Sequence, residues 1–323
     1  SPHRRHRRPT HQRMKDVYTL QDLSRIQLDE GAGQPARLAV LGSPVAHSLS
    51  PQLHQPALDA THAKLRYIRL EVEPSQVADA LDKLQALDFV GANITVPHKF
   101  EALAAVDELD SAAHTLGAVN TILFENGRKL GFNTDGPGFV RAIHEEFLVD
   151  VKDLRILVVG AGGGAGQAIA AQCALEGCER LVLVNRTVEK AHQLAGRLTR
   201  YFESERLEGP GERLEVFPID SPHLAGETDH IDLIVNTTSV GLKRTDPSPL
   251  PPGCLQPHHL VYDTIYNPSP TKLLGEASQV GARTANGLSL LLYQGVIAFE
   301  LWFPGQRPLE TMRSALREAV GAS

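Results

Sequence analysis

A chain of 323 residues, 42% hydrophobic and 22% charged, has the length for two ordinary domains and the balance of a globular protein. No apolar run reaches the length of a membrane span. The cysteines Cys173, Cys178 and Cys254 are too few for a disulfide framework and lack metal-ligand spacing, so a reducing, cytoplasmic setting is expected, with no metal. The net charge of −6 is unevenly spread: Arg4, Arg5, Arg7, Arg8, Arg13 and Lys15 all precede the first acid, Asp16, which leaves an acidic body not expected to bind nucleic acid or membrane.

Residues 1–36 show no core pattern and read as a disordered basic tail. The ordered chain is expected to open with a strand at Arg37–Gly42 and a helix from about Pro51. Ser50 before Pro51 reads as its N-cap, with proline at the first helical position; Ser48 has no such structural role. Leu65–Val72 alternates as a strand, Val77–Leu87 carries apolar residues at helical spacing, and Ala92–Val96 is a strand closed by Pro97. Lys99 then falls in a first helical turn, a poor place for a cation. Its two readings are a functional ammonium and a lysine snorkelling to water. Asn126-Gly127 between two strand-like runs predicts a hairpin, and Asn133-Thr134-Asp135-Gly136 leads into a helix.

The second segment carries the most specific signal. Leu154–Val159 is a buried-strand run, Gly160-Ala161-Gly162-Gly163-Gly164-Ala165 a glycine turn, and the residues from Gln167 a helix. Strand, glycine turn and helix together are what a dinucleotide fingerprint requires. The next strand, Leu181–Val184, ends in Asn185-Arg186-Thr187 where an NAD site would place an acid. Arg186 suits a 2′-phosphate, with Thr187 and Lys190 as further donors, so the site reads as NADP. Later strands are expected near Leu214–Phe217, Ile231–Val235, Leu260–Tyr262 and Ala282–Ala285, with a charged surface excursion between Arg200 and Gly211. Two helices close the chain, Leu288–Leu301 and Leu309–Val320, and the first is apolar enough to be buried between domains.

Hydroxyl, amide, ammonium and carboxylate groups thus gather at strand ends: Ser48 and Ser50, Thr95 and Lys99, Asn120, and Asn133 and Asp135. Such a pocket suits a small hydroxylated ligand. Neither a Gly-x-Ser-x-Gly elbow nor a phosphate-binding Walker loop is present.

These motifs together resemble the shikimate dehydrogenase family of aromatic amino-acid biosynthesis. The resemblance runs from about Arg37 to Glu300 through Gly42–Pro51, Asn93–Lys99, Gly117–Thr121, Asn133–Gly136, the glycine turn, Asn185–Thr187, Asn236–Gly241, Tyr266–Pro268 and Gly287 to Gly295. It implies an α/β protein with a substrate-binding domain on a mixed sheet, an NADP-binding Rossmann domain and a cleft between. The boundaries would be 37–135 with 288–323 for the first and 136–287 for the second. It implies reduction of 3-dehydroshikimate with NADPH, Lys99 and Asp135 as the catalytic pair, and Ser48 and Ser50 on the substrate carboxylate. Thr95, Asn120, Tyr266 and Gln294 would contact carboxylate or ring hydroxyls. Gly160, Gly162, Gly163, Gly164, Ala165, Asn185, Arg186, Thr187, Lys190, Thr237 and Gly287 would hold NADP. The chain departs from the family where Leu242 replaces a usual Met and where Ser289-Leu290-Leu291 follows Leu288, both expected near the nicotinamide.

A quinate-using relative and a non-catalytic nucleotide-binding paralogue are the alternatives. The two serines and Asn185-Arg186-Thr187 favour shikimate and NADP over the first, and intact Lys99 and Asp135 argue against the second. Monomer and homodimer both remain open.

Overall fold

The structure is a computed structural model and describes residues 15–24, 28, 34–203 and 212–321. The first fourteen residues of the basic tail, and residues 204–211 of the expected excursion, lie outside the described residues.

Two sheets organise the chain. The first comprises β1 (Tyr18–Thr19), β2 (Ala36–Gly42), β3 (Arg66–Glu71), β4 (Gly91–Ile94), β5 (Glu108–Leu109), β6 (Thr121–Glu125) and β7 (Arg128–Phe132), in the order β1-β3-β2-β4-β6-β7-β5. It is mixed, because β6 runs antiparallel to both β4 and β7 while the remaining pairs are parallel. Its β6–β7 hairpin turns on Asn126 and Gly127, both at positive φ (51° and 73°), as a two-residue turn between right-twisted strands demands. The second sheet comprises β8 (Arg155–Val159), β9 (Arg180–Asn185), β10 (Leu214–Pro218), β11 (Leu233–Asn236), β12 (Leu260–Asp263) and β13 (Arg283–Asn286). All its pairs are parallel, in the doubly wound order β10-β9-β8-β11-β12-β13.

Burial follows the period-two pleat. In β2, Leu38 and Val40 face one apolar cluster while Ala39 and Leu41 face another. In β8, Ile156 and Val158 face one side, Leu157 and Val159 the other. Helices therefore cover both faces of each sheet, which explains the near-continuous apolar strands.

The apolar Leu288–Trp302 helix serves both layers. Leu290 joins the core of the second sheet, whereas Leu292, Val296, Phe299 and Trp302 join that of the first. Trp302 Nε1 donates to the Ile122 carbonyl at 2.9 Å, so this late helix is bonded to β6 of the first sheet.

The ordered chain begins earlier than the sequence suggests. Tyr18–Thr19 pairs in parallel with β3, and Tyr18 and Leu28 are buried in the first core. Arg66, itself buried, donates to the Tyr18 hydroxyl at 3.3 Å and to the Leu28 carbonyl. A two-residue strand has no periodicity to read, which is why the sequence pattern points to a start at Arg37.

Candidate active site

Each sheet has a point where strand order reverses, and there the loops after two adjacent parallel strands diverge to open a crevice. In the first sheet that point lies beyond β2 and β4, whose loops carry Ser48, Ser50, Thr95 and Lys99. In the second it lies beyond β8 and β11, which carry Gly160 and Thr237.

Lys99 is the first residue of the Lys99–Ala105 helix, where the dipole disfavours a cation. Asp135, the first residue of the Asp135–Phe147 helix, accepts from Lys99 Nζ at 2.7 Å. Both side chains are nearly buried, 12% and 9% exposed, so the charges are paired where either alone would be costly. Asp135 is held in turn. Asn133 Oδ1 accepts from the Asp135 and Gly136 amides at 2.9 and 3.1 Å, and Asn120 Nδ2 donates to Asp135 Oδ1 at 3.2 Å.

The serines behave differently from expectation. The Ser50–Ala60 helix has Leu49 at its N-cap position, with no side-chain cap, and Ser50 is its first residue. The Ser48 hydroxyl accepts the Ser50 amide at 3.3 Å, so Ser48 plays the structural part expected of Ser50. The reason is chain geometry: the turn Val45–Ser48, closed by Ser48 N donating to Val45 O, brings the earlier hydroxyl over the helix end. Arg69 fixes the same turn by donating twice to the Ser48 carbonyl, at 2.7 and 3.1 Å.

Thr95 sits at the end of β4, partly buried, with its methyl pressed on Gly42, where a Cβ would lie 2.5 Å away. Tyr266 is partly buried in the loop after β12, and burial raises the pKa of its phenol. Gln294, on the apolar closing helix, turns its amide onto its own helix, donating to Leu291 O at 2.7 Å. Its side chain is not engaged with the Lys99–Asp135 pair.

The glycine turn has the shape of a dinucleotide cradle. Gly160 has a φ of +93°, and a Cβ on Gly166 would overlap the Gly160 carbonyl, so the turn closes tightly on itself. Thr237 donates its hydroxyl and its amide to Val159 O at 2.6 and 2.9 Å, tying the second loop to the first. The Gly164–Leu175 helix starts after Gly163 with no side-chain cap, leaving its first N–H groups for an anion, and Ala165 lies in that turn. At the end of β9, Asn185 Nδ2 donates to Thr187 O at 2.9 Å and lies against Gly162 beside the Lys190 stem. Arg186, Thr187 and Lys190 are exposed, and neither cation shares an ion pair among the described residues. These groups fit a pyrophosphate and a 2′-phosphate. Gly287 packs on the Thr264 carbonyl, on the loop that leads to Tyr266.

The two halves meet. A Cβ on Gly164 would lie 3.3 Å from the Lys99 side chain, and Gln167 Nε2 donates to Leu116 O and Gly117 O at 3.2 and 3.0 Å. Sequence reasoning does not single out Tyr67, Asn93, Thr121, Gly166 or Gln167. Tyr67 reads as one more apolar position in an alternating strand, and Asn93 and Thr121 are masked by the strand motifs that contain them. Among the described residues no group of three or more His, Cys, Asp or Glu is placed to hold a metal ion, and no helix is long and apolar enough to cross a membrane.

Comparison with known proteins fits this geometry. Residues 40–122 match the shikimate dehydrogenase substrate binding domain, 142–219 match shikimate / quinate 5-dehydrogenase, and 287–317 match the shikimate 5′-dehydrogenase C-terminal domain. The NADP(+) shikimate dehydrogenase of Moorella thermoacetica is 44% identical over 287 residues, covering 88% of this chain and 94% of that protein. The chain belongs to the shikimate dehydrogenase family. Among solved shikimate dehydrogenases, that of Thermus thermophilus, in complex with NADP(H) and shikimate, superposes with a TM-score of 0.75 at 34% identity, covering 88% of this chain and 99% of that one. The quinate dehydrogenase of Corynebacterium glutamicum, in complex with NAD, superposes with a TM-score of 0.76 at 28% identity, covering 87% and 98%. The shikimate dehydrogenase fold therefore does not by itself choose between the two substrates or the two cofactors. Of the two departures from the usual shikimate dehydrogenase pattern, Leu242 is 56% exposed on the loop after β11. Ser289 is buried in the packing of the closing helix, its hydroxyl 3.0 Å from that of Tyr262.

Proposed function

We propose that this chain catalyses the reversible NADP-dependent reduction of 3-dehydroshikimate to shikimate, with Lys99 and Asp135 as the catalytic pair. The observation that carries the assignment is the nearly buried 2.7 Å pair between Lys99 Nζ and Asp135 Oδ2, set directly against Gly164 of the nucleotide turn. Bound NADPH supplies hydride to the substrate carbonyl. The protein's own task is the proton: reduction makes an alkoxide, and Lys99 Nζ donates to that oxygen as the charge develops. Asp135 keeps Lys99 in place and accepts from the neighbouring substrate hydroxyl. Thr95, Tyr266 and Gln294 contact the ring hydroxyls, Gln294 after its amide leaves Leu291 O, and Asn120, whose Nδ2 donates to Thr134 Oγ1 and Asp135 Oδ1, joins them by turning one of those N–H groups to the substrate. Ser48 and Ser50 receive the substrate carboxylate. Arg186, with Thr187 and Lys190, holds the 2′-phosphate, while the turn from Gly160 to Ala165 holds the pyrophosphate, and Asn185, Thr237 and Gly287 complete the cofactor surface.

The direct test is spectrophotometric. Shikimate with NADP should be oxidised much faster than quinate or than shikimate with NAD. Equal or better rates with quinate and NAD would reassign the chain to the quinate branch, and no oxidation of either acid would overturn the enzyme reading.

A further inference from the structure

The Lys99–Asp135 pair is one end of a longer polar path, and the hydrogen positions along that path are forced. Thr134 N can only donate, and it reaches Asn120 Oδ1 at 2.7 Å. This fixes the Asn120 amide, so Nδ2 faces the Asp135 carboxylate at 3.2 Å. The Thr121 hydroxyl lies 3.1 Å from Asn120 Oδ1 and must give its single proton there. Its oxygen then accepts from Asn93 Nδ2 at 3.2 Å, and the same nitrogen points at Asn120 O at 3.4 Å. Asn93 Oδ1 is thereby left to Tyr67, whose hydroxyl donates at 2.7 Å. The Tyr67 hydroxyl is thus the first donor of the path. Tyr67, Asn93 and Thr121 are all buried, and the Tyr67 ring is locked by stacking on His54 at 4.8 Å.

We propose that Tyr67, Asn93 and Thr121 are positioning residues, links in a one-way hydrogen-bond chain that runs from the buried Tyr67 hydroxyl through Asn120 to Asp135 at the catalytic end of the substrate site. This rests on the dehydrogenase reading above. Every link donates toward the Asp135 carboxylate, so each polarises the next in the same sense.

The test uses Tyr67→Phe, Thr121→Val, the double variant and Thr121→Ser, assayed with shikimate and NADP alongside thermal melts. Tyr67→Phe keeps the stacked ring and removes only the hydroxyl. Each of the two single breaks should lower kcat/KM for shikimate about tenfold, the worth of roughly one such hydrogen bond, with KM for NADP unchanged. The double variant should lose no more than the worse single, because one break already interrupts the chain. Thr121→Ser should restore the wild-type value. Wild-type kcat/KM in either break, losses that multiply, or a parallel rise in KM for NADP would each overturn the inference while leaving an active wild type, and hence the dehydrogenase reading, intact. A wild type inactive on shikimate would overturn both.

Discussion

Lys99 carries the sharpest consequence at the scale of single residues. It stands where a helix dipole repels a cation and is nearly buried beside Asp135. Lys99→Met, which keeps the stem, should cut turnover by about 10²–10⁴-fold, the range of general acid assistance, while shikimate binding measured by calorimetry falls far less. Turnover near the wild-type rate would mean another group delivers the proton. Arg186 has no carboxylate partner among the described residues and is exposed beside Lys190. Arg186→Ala should shift the ratio of KM values for NADP and NAD by about ten- to a hundredfold toward NAD, the worth of one charged hydrogen bond. Both residues are legible in sequence because Lys99 breaks a local preference and Arg186 follows Asn185 where an NAD site would place an acid. Tyr67 and Thr121 break none, since a tyrosine or threonine in a strand is ordinary, and only the three-dimensional path gives them meaning. The capping role of Ser48 is hidden for a related reason: a hydroxyl two residues ahead of a helix reaches its end only when the preceding turn folds it back.

Among the elements, the regular ones are legible in sequence and the short ones are not. The hairpin at Asn126-Gly127, the glycine turn and the two closing helices each carry a pattern longer than a turn or a residue pair with a fixed backbone demand. The strands Tyr18–Thr19 and Glu108–Leu109 exist because a neighbouring strand offers a place to pair, which no periodicity records, and the helix Ser111–Leu116, capped by Asp110 and Gly117, is too short to show one. The first of these changes what truncation should do. Deleting residues 1–36 removes buried Tyr18 and Leu28 and leaves the Arg66 side chain without three of its partners, Tyr18, Leu28 and Gln34. The melting temperature should fall by an amount equivalent to about 2–4 kcal/mol, the usual cost of lost core side chains and an orphaned buried donor. An unchanged melt would show the segment to be only laid on the surface. Within the nucleotide turn, Gly166→Ala would force a Cβ into the Gly160 carbonyl. KM for NADP should rise at least about tenfold as the turn opens, with shikimate affinity measured without cofactor little changed.

At the scale of the molecule, acid should loosen the first domain through His54. This ring lies fully buried among Tyr67, Phe299 and Trp302, and burial pushes its pKa from 6.5 down to about 3. Below pH 6.5 the unfolded chain binds a proton there that the folded chain refuses until about pH 3. Stability is therefore lost as pH falls through that window, at about 1.4 kcal/mol per pH unit. Asp263 and Glu146, whose carboxyls burial pushes upward, act in the opposite sense at lower pH. His54→Phe keeps an aromatic ring and should flatten the dependence of melting temperature on pH between about 7 and 4. An unchanged slope would place the acid sensitivity elsewhere.

The Leu288–Trp302 helix, shared by both cores, also sets an order of events during synthesis. The nucleotide-binding sheet has all its strands once β13 has left the ribosome. The first sheet, made earlier, does not have its full covering: the face bearing Leu38, Val40 and Tyr67 is met by Leu53, Ala57 and Leu58 of the early Ser50–Ala60 helix but still waits for Val296, Phe299 and Trp302. The segment translated first is thus the last to be sealed, and it must stay out of aggregates with part of an apolar face bare while most of the chain is being made. The half that binds the substrate matures only when translation is almost over, so a shortened polypeptide lacking its final helices would present a finished nucleotide fold beside an open, sticky sheet.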